Sequence, residues 1–113
     1  MANSFKQTPY DGTSLAADTD ATIYTSPSSG TAIVVGLMVA NVSNAEIKVT
    51  VKLVDYSNTS SEHVFLNSVS IPINTTLEVM TGNKIVLESS DALKIQSNTD
   101  NSLNAFVSSL EIT

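Results

Sequence analysis

The sequence predicts an all-β protein, an eight-stranded antiparallel β-sandwich of jelly-roll or immunoglobulin-like topology with an extended N-terminal arm. From Ala21 onward, short runs of apolar and β-branched residues recur about every 8 to 12 residues, which is typical of sandwiches and barrels. Clusters of Ser, Asn, Gly and Pro separate these runs. Several runs have one polar and one apolar face, as two sheets packed through their inner faces require, so a sandwich is favoured over a barrel.

The N-terminal arm is predicted to cover residues 1–20, and the β-sandwich domain residues 21–113. The first segment has few apolar side chains, contains Pro9 and Gly12, and shows neither helical nor strand periodicity. Such a segment cannot bury a core of its own, so it is ordered only if another surface compensates the entropy cost. We expect its two rings, Phe5 and Tyr10, either to anchor the arm on a neighbouring subunit or to dock on their own domain.

The second predicted strand, Thr31–Val42, is apolar on both faces. Its alternate residues form two sets, Ile33, Val35, Leu37 and Val39 against Val34, Gly36, Met38 and Ala40. Such a strand is central and covered on both sides, or its outer face is covered by the arm or by a partner chain. The first predicted strand, Ala21–Ser26, ends at a Pro-Ser-Ser-Gly turn, and the third, Glu46–Asp55, alternates with one face toward water.

Five further strands complete the predicted sandwich: Glu62–Ile71, Thr75–Met80, Lys84–Leu87, Ala92–Ser97 and Leu103–Ile112. A bulge is predicted near Asn67. Pro72 cannot donate a ladder hydrogen bond, so it belongs at an edge or a strand end. The predicted core consists of Ile33 or Val34, Val35, Leu37, Val49, Val51, Leu53, Leu77, Val79, Ile85, Leu93, Ile95 and Val107.

The composition argues against several classes of function. Cysteine is absent, which removes disulfides and thiolate chemistry, and the single histidine excludes a site with several histidine ligands. The five basic residues are all lysine and the net charge is −6, so a nucleic acid backbone would be repelled. The longest apolar run is about half the length of a membrane-spanning helix, and the N-terminus lacks the pattern of a secretory signal. We therefore expect no nucleic acid or membrane partner and synthesis in the cytoplasm.

Candidate catalytic and metal-binding residues are few. His63 lies beside a polar loop without a nucleophile motif, and it is interpreted as a surface histidine. Glu88 and Asp91 are the carboxylate pair that an enzyme would need to place in a pocket. The Asx-rich segments at 18–20 and 98–101 have oxygen atoms at spacings that calcium loops use, but they lack the full calcium-loop pattern and are interpreted as turns. The protein is therefore predicted to be non-enzymatic, with no cofactor and no assigned metal ligand.

Three long segments resemble small β-sandwich virion proteins of tailed bacteriophages. They are ATIYTSPSSGTAIVVGLMVANVSNAEIKVTVKLVD, SIPINTTLEVMTGNKIVLESSDALKIQSN and SLNAFVSSLEIT, and together they cover most of residues 21–113. The matching features are Tyr24 to Pro27, Ala40-Asn41, Pro72 to Val79, the turn Ser90-Asp91-Ala92-Leu93 and the terminal Leu110-Glu111-Ile112. The phage pattern often has glycine before the aspartate, where this chain has Ser90.

This resemblance implies a virion structural protein, a capsid decoration or cement protein that binds the particle surface and its own copies. Its implied partners are the major capsid protein or other virion proteins. Neck, tail and fibre components are alternatives that the resemblance leaves open. A carbohydrate- or surface-binding module is a further alternative, which would need exposed aromatic residues in loops or a calcium site.

The residues predicted to carry assembly are Phe5, Tyr10, Val34 and Met38. The hypothesis is that the two rings of the arm lie in a groove on the second apolar face of strand Thr31–Val42. Each buried ring would remove about 150 to 250 Å² of surface from water.

Overall fold

A computed structural model describes residues 3–56, 61–80 and 84–113, which form two antiparallel sheets packed face to face. The strands of these residues are β1 (Asn3–Gly12), β2 (Ala21–Thr25), β3 (Thr31–Asn41), β4 (Ile47–Asp55), β5 (Ser61–Ile71), β6 (Thr76–Glu78), β7 (Ile85–Leu87), β8 (Ala92–Ser97) and β9 (Leu103–Ile112). The five-stranded sheet has the order β1-β9-β3-β6, with β7 also paired to β3, and the four-stranded sheet has the order β2-β8-β4-β5. The predicted all-β sandwich is confirmed, and each of the eight predicted strands is present.

Strand β1 was not predicted from the sequence. It pairs antiparallel with β9 over its whole length, from Asn3 opposite Ile112 to Gly12 opposite Leu103. At its end the backbones are so close that a Cβ on Gly12 would lie 2.2 Å from the Leu103 carbonyl oxygen. The expectation that this part of the chain has no strand structure is wrong, because an edge strand that faces solvent needs little apolar periodicity when its neighbour supplies the hydrogen bonds.

The segment between β1 and β2 is also attached to its own domain. Leu15 is buried, its carbonyl oxygen accepts a hydrogen bond from the Asn101 amide, and the Asp100 carboxylate accepts one from the Ala17 amide. Asp20 forms an ion pair with Lys52 of β4, with 2.9 Å between carboxylate oxygen and Nζ. The second of the two expectations for the arm, docking on its own domain, therefore describes most of this segment.

The core lies between the two sheets and confirms much of the predicted set. Fully buried members of that set are Val34, Leu37, Val49, Val51, Leu93, Ile95 and Val107. Partly buried members that pack against them are Leu53, Leu77, Val79 and Ile85. Val35 is 39% exposed, so its assignment to the core is wrong.

A β-bulge in β3 explains the error at Val35. Val34 lies opposite Ser109 and Gly36 lies opposite Ser108, so two steps on β3 match one step on β9. The extra residue reverses the alternation, because side chains point to opposite faces at each step. Even-numbered residues face the core before the bulge and odd-numbered residues after it, so the predicted division of this strand into two constant faces is wrong.

Strand β5 carries the bulge predicted near Asn67. Val49 pairs with Val69 and Val51 with Leu66, which leaves an extra residue in β5. Ser68 in this segment has a φ of 49°, and its amide donates a hydrogen bond to the Thr50 hydroxyl. The described residues contain no helix long and apolar enough to cross a membrane.

Candidate functional site

The outer face of the five-stranded sheet carries two rows of apolar side chains. Directly paired residues of antiparallel strands point to the same side of a sheet, so the strand register defines each row. One row consists of Phe5, Leu110, Ile33 and Val86, and the other of Pro9, Phe106 and Met38. With Val35, which the bulge turns outward, these residues form what we call the apolar face.

Several side chains of the apolar face are well exposed. Phe5 is 82% exposed, Val86 59%, Met38 43% and Val35 39%. An antiparallel sandwich ordinarily places apolar residues inside and polar residues outside. This sheet departs from that pattern on its outer side.

The outer face of the four-stranded sheet carries more charged side chains, and its edge strand β5 also exposes Val64, which pairs with Lys52, and Phe65. Lys48, Lys52 and Lys94 alternate there with inward core residues. Lys52 lies 2.9 Å from Asp20 and 3.6 Å from Glu62, and its hydrogen bond to Asp20 raises its pKa above the ordinary value. Three of the five lysines of the chain thus lie on the sheet opposite the apolar face.

A depression of about 340 Å³ opens beside Phe5 on the apolar face. It is lined by Phe5, Lys6, Gln7, Val35, Ser108 and Ser109. Ser108 pairs with Gly36, and a Cβ placed on that glycine would lie 3.7 Å from the Ser108 Cβ. Two residues with little or no side chain thus lie opposite each other at the edge of the depression.

The structure separates the four residues predicted to carry assembly. Phe5 and Met38 both lie on the apolar face and are exposed. Tyr10 is half-buried against the core of its own domain, and Val34 is fully buried. The prediction that Val34 and Met38 share an outer face is wrong, because the bulge between them places Val34 inside.

His63 is exposed, as predicted. Its Nε2 lies 3.0 Å from the Ser61 hydroxyl oxygen at the start of β5. Serine next to histidine is part of the arrangement found in hydrolases, but that arrangement also needs a group that orients the histidine and a site that holds substrate. The position of His63 on an exposed edge strand gives it the environment of a surface histidine.

Three carboxylates approach one another where β4 ends and the turn before β8 begins. The ligand oxygens of Asp55, Glu88 and Asp91 all lie within 4.8 Å of one another. The sequence singled out Glu88 and Asp91, but not Asp55, which the pairing of Val54 with Ala92 brings close. Asp91 is buried, and its Oδ2 accepts a hydrogen bond from the Glu88 amide at 3.0 Å, so this carboxylate also closes the turn.

The segments considered for calcium supply turn hydrogen bonds. Asn98 Oδ1 accepts a hydrogen bond from the Lys48 amide, and Asp100 Oδ1 accepts one from Ala17. Asp18 and Asn101 have φ values of 57° and 52°, a left-handed conformation that Asn and Asp adopt more readily than most residues. Their Asx content is thus explained by backbone geometry.

Comparison with known proteins gives likenesses of structure. No family model matches the chain, and no curated protein matches it. A structure of Bacillus endospore appendages, described as a novel family of disulfide-linked pili, is 13% identical with a TM-score of 0.58, covering 99% of this chain and 87% of the other. The capsid asymmetric unit of cyanophage Pam1 is 15% identical with a TM-score of 0.35, covering 99% and 84%. At this identity, the appendage structure shows that the two chains share a fold.

Proposed function

We propose that this protein is a non-enzymatic virion structural protein, a capsid decoration or cement protein that attaches to the particle surface and to its own copies. Its partners in this proposal are the major capsid protein or other virion proteins. The observation that carries the proposal is the apolar face, an outer sheet surface with exposed Phe5, Val35, Met38 and Val86. Large exposed apolar patches on soluble proteins mark surfaces that bind other molecules.

We also infer that the topology is a jelly roll. Each sheet interleaves strands from the two ends of the chain, so that β9 lies between β1 and β3, and β8 lies between β2 and β4. Strands β6 and β7 both pair with β3 and together occupy one strand position. Counted in this way, the eight strand positions fit two sheets of four, which is the jelly-roll arrangement found in viral capsid and lectin domains.

The remaining candidate sites give less support to an enzyme. His63 is exposed on an edge strand, and the Asp91 carboxylate is used to close a turn. An assembly role accounts for the apolar face, whereas an enzyme would leave it unexplained. The resemblance of the sequence to phage virion proteins supports the same choice.

The test is the copy number of the protein in purified particles. Particles are isolated from cells that produce the protein, and its abundance is measured by quantitative mass spectrometry relative to the major capsid protein. We expect a copy number proportional to that of the major capsid protein. A copy number that corresponds to a single ring of subunits would indicate a neck or tail component instead. Absence of the protein from the particles would reject a virion role.

A second candidate is a tail or fibre component, that is, a subunit of a filament. It is supported by the shared fold with the Bacillus endospore appendages, which form pili. Those pili are described as disulfide-linked, and this chain has no cysteine, so a filament built from it would depend on noncovalent contacts. Electron microscopy of the concentrated protein tests this candidate, because filaments would favour it over a capsid decoration protein.

A further inference from the structure

We propose that a second copy of this chain docks on the apolar face, with the Phe5 ring of each copy inserted into the depression beside Phe5 of the other. The inference deepens the proposed function, on which its biological use rests, by naming the contact between copies. It stands on three observations: an exposed ring, a depression that fits such a ring, and the position of both on one surface.

The exposed ring is Phe5. It is 82% exposed on an edge strand, although its row partners Leu110 and Ile33 are only partly exposed. A phenyl ring buries about 150 to 250 Å² when it is fully covered, so covering this one gives a large gain in apolar burial. Within its own chain, the pairing of β1 with β9 holds the backbone of Phe5 in place, but no side chain of the described residues covers most of the ring.

The depression has the size that a phenyl ring needs, and its lining combines two apolar side chains, Phe5 and Val35, with the polar side chains of Lys6, Gln7, Ser108 and Ser109. Its volume is about 340 Å³, and an apolar cavity of roughly 150 Å³ already holds a benzene molecule in a protein interior. Val35 supplies an apolar wall, and the small Ser108 leaves the floor open. Gly36 has no positive φ that would require glycine. Its lack of a side chain leaves space next to Ser108 on this surface.

The arrangement fits a second copy because the ring and the depression belong to the same patch. A twofold axis brings one patch against itself, so each copy supplies a ring and receives one. Like-charged copies of net charge −6 repel each other, and they approach at lower cost through a surface on which uncharged side chains predominate. Lys48, Lys52 and Lys94 with their acidic neighbours lie on the opposite sheet, away from this contact.

A contact made by only a few exposed apolar side chains predicts a weak association. The largest apolar patch of a soluble monomer is about 300 to 600 Å², whereas a stable complex buries about 800 Å² per partner. We therefore expect a dimer that dissociates in dilute solution and forms at concentrations on the order of 100 µM to 1 mM. Such a contact suits a protein that is concentrated by attachment to a particle, because attachment raises its effective concentration.

The experiment measures self-association of the full chain by sedimentation velocity and by ¹⁵N chemical shift changes on dilution from about 1 mM. Phe5→Ala removes the ring, and Ser108→Trp fills the depression. We expect each variant to weaken association at least about tenfold, because central aromatic anchors dominate small interfaces. Tyr56→Ala is the matched control, since it removes another exposed aromatic side chain that lies outside the apolar face.

Mixing the two variants tests the geometry. The Phe5→Ala copy loses the Phe5 wall of its depression but keeps Val35 and Ser108, and the Ser108→Trp copy keeps its ring, so the mixture regains part of one of the two contacts. We expect it to associate more strongly than either variant alone. Gly36→Val is a second way to narrow the depression, since a Cβ there meets Ser108 at ordinary contact distance.

Four results would overturn the inference: a wild-type protein that stays monomeric at about 1 mM, undiminished association of Phe5→Ala, an equal loss in Tyr56→Ala, or no recovery in the mixture. Far-UV circular dichroism and thermal melting establish that the variants are folded. The assay contains only this protein, so its failure leaves the copy-number experiment unaffected. Conversely, absence from particles would reject the virion role and leave the dimer intact.

Discussion

The Asn41 side chain joins three parts of the chain at the end of β3. It is buried, and its Nδ2 lies within 3.2 Å of the carbonyl oxygens of Ala45, Ile71 and Pro72. Its Oδ1 accepts hydrogen bonds from the amide and hydroxyl of Ser43. One amide thus joins the segment before β4 to the end of β5, and its hydrogen bond to the Ile71 carbonyl is buried.

Replacing this side chain should destabilise the protein. We expect Asn41→Ala to lower the free energy of unfolding by about 1 to 3 kcal/mol, because the buried Ile71 carbonyl oxygen and two partly buried ones lose their donor. Urea unfolding measures the change, and Asn44→Ala in the same exposed loop should cost less than about 0.5 kcal/mol. Equal effects of the two substitutions would show that the Asn41 hydrogen bonds contribute no stability.

Tyr24 and Glu111 form a partly buried hydrogen bond between the sheets. The Tyr24 hydroxyl donates to Glu111 Oε2 at 2.5 Å. Burial, and then this donation to a carboxylate, raise the pKa of Tyr24 to about 12 from its ordinary value of 10.0. The neutral phenol is therefore favoured more strongly in the folded chain than in the unfolded chain.

This difference makes stability depend on alkaline pH. Below pH 10 the Tyr24 phenol is neutral in both the folded and the unfolded chain, and its contribution to the free energy of unfolding is complete. Between pH 10 and about 12 the unfolded chain loses the phenol proton first, so the free energy of unfolding falls. We expect the urea midpoint of the wild type to fall more steeply over this range than that of Tyr24→Phe. Identical slopes for Tyr24→Phe and the wild type would contradict the assignment.

At the scale of the strand, the β3 bulge decides which residues meet the core. Val34 and Val35 are adjacent and chemically identical, but Val34 is fully buried and Val35 is 39% exposed. We expect Val34→Ala to cost about 1.5 to 3 kcal/mol and Val35→Ala less than about 0.5 kcal/mol. Urea unfolding of the two variants compares them directly. The reverse order would mean that the strand alternates without a bulge.

Strand β1 shows a second effect at this scale. It has the sequence of a polar segment, yet it pairs with β9 along ten residues. Its inward residue Tyr10 packs on the core, and its outward residue Phe5 is exposed. The strand therefore completes the sheet with one set of side chains and presents the other set to solvent.

At the scale of the whole molecule, the two outer faces differ in character. The four-stranded sheet presents lysines with acidic partners, and the five-stranded sheet presents the apolar face. If the proposed contact between copies forms, it uses the five-stranded sheet and leaves the charged side chains of the other sheet in water.

Salt dependence distinguishes an apolar contact from one made by ion pairs. Salt shortens the Debye length from about 30 Å at 0.01 M to about 3 Å at 1 M, which weakens the repulsion between copies. We expect self-association of this protein, with its net charge of −6, to strengthen over that range. Sedimentation velocity at the two salt concentrations measures this, with Phe5→Ala as the control that stays monomeric at both. Weakening with salt would show that ion pairs hold the copies together.

The amino-acid pattern is sufficient to predict the all-β class, eight of the strands and most of the core. These features depend on local alternation and on turn residues, which act over a few neighbouring positions. The bulge near Asn67 was also visible, because three apolar residues there compete for one face. Ser90 has a φ of 66°, which explains why glycine suits this position in the phage pattern.

Three features could not be predicted from the sequence pattern. They are the strand formed by residues 3–12, the reversal of inward and outward side chains within β3, and the approach of Asp55 to Glu88 and Asp91. Each depends on a partner far away in the sequence. Strand β1 is defined by hydrogen bonds to β9, and the β3 bulge by its register against the same strand, while Asp55 reaches the turn through the pairing of β4 with β8. The apolar face belongs to this group, since its rows join side chains from β1, β3, β7 and β9 that no local pattern places together.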